Sequence, residues 1–145
     1  MVTFVSADRL RGHVVPPLSL LVGVGGALGT AARYGLGRWL PAGTGFPWGT
    51  LVANLIGALI LGVLLEVLAR RDLPVDVLRR ARLLIGTGFC GGLTTYSTLV
   101  VETDLLVRGH RVGLAASYAA ISVVAGLAIA GIGIAAAASL HRRPT

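Results

Sequence analysis

The 145-residue chain is 54% hydrophobic and only 13% charged, with a mean hydropathy of +0.82. A soluble domain of this length needs far more charge to cover its surface, so the composition describes an integral membrane protein with no room for a second domain. The basic residues behind the net charge of +7 are all arginine; they flank apolar blocks and form no basic face interleaved with aromatics, which excludes nucleic acid as a partner and leaves topology signals and headgroup contacts.

Residues 1–17 are polar or mixed, end in Pro16-Pro17 and offer no site suited to leader cleavage, so they read as a retained N-terminal tail. A hydrocarbon core about 30 Å thick takes roughly 20 apolar residues per helix. Four blocks meet that length, at 18–36 (interrupted by Arg33), 48–68, 83–106 and 112–138. They predict an all-α membrane protein with a four-helix transmembrane domain over 18–138 and a short C-terminal tail over 139–145. Connectors fall at 37–47, 69–82 and 107–111, and Trp39 and Trp48 bracket the first as interfacial anchors.

An even number of spans puts both termini on one side, together with the 69–82 connector. That side collects Arg9, Arg11, Arg70, Arg71, Arg79, Arg80, Arg82, Arg142 and Arg143, against Arg38, Arg108 and Arg111 opposite. Arginine-rich loops stay cytoplasmic, so the expectation is a multi-pass plasma-membrane protein with both termini inside. Small residues mark helix contacts: Gly25/Gly29, Ala53/Gly57 and Gly88/Gly92 are each four apart, the spacing that lets backbones approach in lipid.

The third block contains GTGFCGGLTTYST over 86–98, too rich in glycine and hydroxyls to stay a plain helix facing lipid. Irregular backbone at membrane depth is tolerated where protein buries it or where it lines a wet cavity or an ion, so the helix is expected to break near Gly91–Thr95. The single Cys90 in this stretch excludes an intrachain disulfide and reads as a small buried residue. Other intramembrane polar groups are few. Arg33 lies near the end of span one, able to snorkel or to attract an anion. Asn54 lies about two turns into span two and carries two N–H donors. Thr94, Thr95, Ser97 and Thr98 crowd the break, and Tyr118 and Ser122 share a face of span four.

Absences narrow the chemistry further. Glu66 and Glu102 fall near span ends and Asp104 beyond, so no acid is placed for proton coupling. His13, His110 and His141 lack metal-ligand spacing, and no nucleophile–base pair supports an enzyme. A donor-rich, acid-poor interior suits an anion.

The residues GGALGTAARY from Gly25 to Tyr34 resemble the GGxxGAxxRY signature of the Fluc (CrcB) fluoride channels. GTLVANLIG from Gly49 to Gly57 is similar to that family's GTLxxNxxG. The stretch from Gly86 to Leu99 followed by Glu102 is similar to its GxxGGxTTFSTF…E, and Tyr118 with Ser122 matches its Y-x-x-x-S. Together these motifs cover all four spans in order.

The resemblance implies a passive, fluoride-selective channel subunit that exports cytoplasmic fluoride and pairs antiparallel to enclose two pores. It implies a structural Na+ at the break, held by backbone carbonyls matching Gly91 and Thr94. It also places Arg33 near a vestibule and Asn54, Tyr96, Ser97, Thr98, Tyr118 and Ser122 along the pores. Two departures stand out. Where the family has TTFSTF the chain has Thr94-Thr95-Tyr96-Ser97-Thr98-Leu99, so Tyr96 adds a hydroxyl and Leu99 has no ring. The arginine bias is also too strong for one sequence to insert both ways, which points to a heterodimer with an oppositely oriented paralogue rather than a homodimer. The rival readings are a non-conducting partner subunit of such a heterodimer and a small multidrug-type exporter, which would need an embedded acid where this chain has Arg33.

Overall fold

The computed structural model describes residues 16–40, 45–71 and 73–140. Arg9, Arg11, His13, His141, Arg142 and Arg143 lie outside the described residues, as do most of both expected tails. The described residues form helices joined by short turns. α1 spans Pro16–Trp39, α2 Trp48–Arg70, α3 Val75–Ala81, a π-helical segment Arg82–Cys90, α4 Gly91–Leu93, α5 Tyr96–Arg108 and α6 Val112–Leu140.

Proline sets several starts, because the first turn of a helix has N–H groups without internal partners in any case. Pro16 opens α1, and Pro47 and Pro74 stand immediately before α2 and α3. The carbonyl of Pro74 accepts from the amides of Val77 and Leu78 at 2.9 and 3.1 Å. Between α5 and α6 the chain reverses through Gly109, with His110 in the left-handed region at φ 58°.

The expected connector over 69–82 needs correction. Its second half is helical: α3 runs without interruption into the π segment, so the third membrane-length stretch is Val75–Arg108, 34 residues long including its break. Trp48–Arg70 and Val112–Leu140 are likewise long and apolar enough to cross a membrane. α1 matches them in length at 24 residues, but its glycines and its Arg33 and Arg38 dilute its apolar character, and it is not among those that qualify.

Lipid offers no hydrophobic drive between helices, so they associate where backbones can touch. A Cβ built on Gly25 would strike the carbonyl oxygen of Leu84, one on Gly29 that of Phe89, and one on Gly92 that of Gly26. The predicted Gly25/Gly29 and Gly88/Gly92 pairs therefore interlock, seating α1 along the π segment and α4. A second contact of this kind joins α2 to α6, where a Cβ on Gly62 would strike the carbonyl of Ala130 and one on Gly133 would lie 2.7 Å from that of Leu59. Gly57 instead makes room for the methyl of Thr94. The smallness of these residues thus fixes where the third stretch sits between α1 and α2.

Two alanine substitutions separate packing from helix propensity. Gly29→Ala is expected to destabilise the fold by about 1–3 kcal/mol through overpacking against backbone. Gly35→Ala meets nothing within 4 Å and should stabilise or stay neutral, by up to about 1 kcal/mol of helix propensity. Reversible unfolding of detergent-solubilised protein by sodium dodecyl sulfate measures both, and equal stability of the two variants would contradict the packing described.

Candidate functional site

The third stretch loses its helix at two residues. α4 ends at Leu93, Thr94 is extended at φ −81°, ψ 156°, and Thr95 at φ −151°, ψ 126°. The break lies inside the segment expected from its composition. The two backbone groups of Thr95 are met by one side chain from α2. Asn54 Oδ1 accepts from the Thr95 amide at 2.8 Å, and Asn54 Nδ2 donates to the Thr95 carbonyl at 3.1 Å. The amide thus mimics a strand neighbour, and flipping it would set like groups against each other. Its second Nδ2 hydrogen has no partner among the described residues.

Thr95 also caps α5. Its buried hydroxyl accepts from the Thr98 amide at 3.2 Å, donates to Thr98 Oγ1 at 3.0 Å and lies 3.2 Å from Ser97 Oγ. A hydroxyl has one hydrogen, so with that hydrogen on Thr98 the contact with Ser97 has Ser97 as donor. The Thr98 hydroxyl hydrogen is left to point elsewhere. Thr94 turns back instead, its amide and hydroxyl both donating to the Cys90 carbonyl at 2.9 and 2.8 Å.

These redirected amides free two carbonyls. In a continuous α-helix the Thr95 amide would bond to Gly91 O and the Thr98 amide to Thr94 O. Both amides donate to side chains instead, so the carbonyls of Gly91 and Thr94 lack their helical partners. Gly91 is exposed, and a Cβ on it would meet nothing within 4 Å. Among the described residues no group of three His, Cys, Asp or Glu could hold a metal. Backbone oxygens of this kind are ligands a hard cation takes.

A second polar cluster lies nearer the α1–α2 end of the bundle. Thr50 at the start of α2 donates to Glu102 Oε1 at 2.8 Å, and the Tyr118 hydroxyl donates to Glu102 Oε2 at 2.6 Å. Tyr118 is fully buried, packed with Leu51, Leu106 and Ala115, and Phe46 meets its ring edge-on with centroids 5.4 Å apart. Ser122, also buried, donates to the Tyr118 carbonyl at 2.7 Å. Glu102 stands six residues from the end of α5, about 9 Å at 1.5 Å per residue, which agrees with its expected place near a span end. The sequence did not reveal that it turns inward to join three helices.

The structure therefore gathers Asn54, Ser97 and Thr98 with Gly91 and Thr94 at the break, and separately joins Tyr118 and Ser122 to the Glu102 cluster. Tyr96 is 80% exposed and, with Thr103 and Asp104, borders an open groove of about 390 Å³. Leu99 lies half-buried against the Leu51–Tyr118 cluster. Arg33 is half-buried on α1 with no partner among the described residues. Sequence reasoning did not single out Thr50, placed Glu102 only near a span end, and read Thr95 only as one of the hydroxyls at the break. Their signal was present in the motifs containing Gly49-Thr50 and ending in Glu102, yet nothing in the sequence paired a residue of α2 with one of α5.

Comparison with known proteins covers most of the helical region. The family model described as CrcB-like protein, Camphor Resistance (CrcB), matches residues 20–134. A Thermus thermophilus protein named fluoride-specific ion channel FluC is 44% identical over 116 residues, covering 79% of this chain and 88% of its own. A Mycolicibacterium paratuberculosis protein named fluoride-specific ion channel FluC 1 is 48% identical over 105 residues, covering 71% and 76%. A Bordetella petrii protein named fluoride-specific ion channel FluC is 41% identical over 129 residues, covering 88% and 97%.

The Asn54 bridge has a measurable consequence. Asn54→Ala leaves the Thr95 amide and carbonyl without partners, at about 1–3 kcal/mol for each orphaned group. Asn54→Asp keeps the acceptor but sets an oxygen against the Thr95 carbonyl, so its loss of stability should be smaller than that of the alanine variant or similar to it, and never absent. Hydrogen–deuterium exchange at the Thr95 amide, slow in the wild type, should accelerate in Asn54→Ala. An unchanged rate would show that the bridge does not hold the break.

Proposed function

The chain belongs to the CrcB family, and on that premise we propose that it is a subunit of a passive, fluoride-selective ion channel that lets cytoplasmic fluoride leave the cell. The observation that carries this reading is the break at Thr94-Thr95, held open by Asn54 and surrounded by hydroxyls. Fluoride enters cells as neutral HF under acid conditions and is trapped inside as the anion. An inside-negative potential drives it out with about 2.3 kcal/mol per 100 mV, so a selective pore suffices and no coupling ion is needed.

Fluoride is strongly hydrated, and a pore must replace its water shell with N–H and O–H donors while binding no site too tightly. The uncommitted Nδ2 hydrogen of Asn54 and the hydroxyl hydrogen of Thr98 supply such donors, while Ser97, whose hydrogen is on Thr95, lines the path beside them. The exposed ring of Tyr96 offers its positive edge and a hydroxyl. Tyr118 and Ser122 have their hydroxyl hydrogens engaged by Glu102 and by backbone. We assign them to the pore wall, where they hold its shape. Thr50 and Tyr118 each cover one oxygen of Glu102, so the carboxylate beside an anion path is hydrogen-bonded rather than bare. Arg33 contributes positive potential near the vestibule.

The Gly91 and Thr94 carbonyls would hold the structural Na+, which supplies a fixed positive charge at the centre. Two oxygens do not complete a cation's shell, and the same pair from a second subunit would bring it to four. That supports an antiparallel dimer enclosing two pores, with all four long helices, α1 included, crossing the membrane. α6 fits such an assembly, since only 6% of its most apolar window is buried within the chain. The arginine bias supports both termini inside the cell and a paralogue of opposite orientation as the partner.

Fluoride efflux from liposomes tests this reading, with chloride-loaded and protein-free liposomes as controls. Efflux that appears only on co-reconstitution with an oppositely biased homologue establishes both the channel and the heterodimer. Rapid, chloride-excluding efflux from this chain alone establishes the channel and refutes the obligate partner. No fluoride efflux from folded protein under either condition would overturn the fluoride reading. In a conducting assembly, Asn54→Asp replaces a donor with an oxygen and should bring efflux down to the protein-free rate.

A further inference from the structure

At the far end of the bundle from the Glu102 cluster, α2 and the π segment leave an open groove of about 360 Å³ that the proposed pore does not use. Its walls are Leu61, Leu64 and Leu65 on α2 and Gly86 on the π segment, with Thr87 and Arg82 completing the lining. Gly86 keeps it open, since a Cβ there would already lie 3.4 Å from Leu64 and 3.7 Å from Leu61. Arg82 is exposed, and Arg79, three residues earlier on the same continuous helix, shares its face and is exposed too. Neither has a partner among the described residues. The nearby acids leave the surface basic: Glu66 is paired with Arg70, and Asp76 is one charge against the exposed Arg71, Arg79, Arg80 and Arg82. Arg71 and Arg80, also exposed, add to the same basic surface.

An apolar trough ending at unpaired guanidinium groups fits an amphiphile with an anionic head. We propose that this groove binds an anionic phospholipid, with its phosphate on Arg82 and Arg79, a glycerol-backbone oxygen on the Thr87 hydroxyl and one acyl chain along Leu61, Leu64 and Leu65. Guanidinium forks match phosphate geometry. Val75 and Val77 on α3 are exposed close in sequence to these arginines, a mix of apolar and basic groups that suits the boundary between headgroups and acyl chains. The inference stands independently of the transported ion.

The test uses the full chain in nanodiscs of equal phosphatidylglycerol and phosphatidylcholine, with retained lipid identified by native mass spectrometry. The wild type should retain phosphatidylglycerol preferentially, and Arg82→Gln should reduce that preference about five-fold, the factor carried by one interfacial arginine. Gly86→Leu fills the trough and should lower total retained lipid, while Arg108→Gln, at the opposite end of the bundle, should change neither. Equal retention of the two lipids by the wild type, an unchanged preference in Arg82→Gln or full retention in Gly86→Leu would each overturn the proposal. Efficient disulfide linkage between Leu65→Cys chains in the bilayer would also overturn it, by placing a second copy in the groove.

Discussion

A helix broken within a bilayer presents donors and acceptors that lipid cannot satisfy, and here the amide of Asn54 meets both groups of Thr95. The remaining features of the site depend on this substitution of side chain for backbone. Because the Thr95 amide is turned to Asn54, the Gly91 carbonyl loses its helical donor. Because the Thr95 hydroxyl then caps α5, the Thr98 amide is turned away from the Thr94 carbonyl. One asparagine and one threonine decide which two carbonyls of the break are spare. The break is consequently an ordered structure with every buried side-chain polar atom among the described residues partnered.

That bridge can form only if the third stretch is held at the right distance from α2. Glycine contacts set the distance. Gly25, Gly29 and Gly92 bring α1 against the π segment and α4 closely enough that one added carbon would collide with a carbonyl, and Gly57 admits the Thr94 methyl between α2 and the break. The wider π turn places Gly86 and Gly88 where they meet the neighbouring helices, and such turns often accompany functional sites. Glycine costs stability in a soluble helix, but in lipid the dispersion gained by backbone contact offsets that cost.

The charge arrangement follows a similar economy. Among the described residues Glu102 turns inward, and both of its oxygens receive hydroxyl donors, from α2 and α6. This cluster ties three helices together at the end of the bundle where α1 passes to α2. The arginines at the opposite end stay exposed around the α2–π groove, where headgroups rather than the pore would meet them.

How much was legible in the sequence can be judged residue by residue. Hydropathy located the long helices, because it acts locally. The break at Thr94-Thr95, inside the expected Gly91–Thr95, was legible because glycine and hydroxyl density weakens a helix wherever it occurs. The glycine pairs were legible as contacts through their spacing of four. The helical half of the 69–82 connector was missed because its arginines hid a helix that continues past the apolar block. The pairing of Asn54 with Thr95, the gathering of Thr50, Glu102 and Tyr118, and the inward packing of Leu99 were not legible. The sequence by itself determined a membrane-embedded helical chain with a weakened third stretch, since composition and period act over a few neighbouring residues. Only the tertiary structure decided which groups satisfy that weakness and which carbonyls it leaves free, because those partners lie on other helices and are selected by how closely the backbones pack.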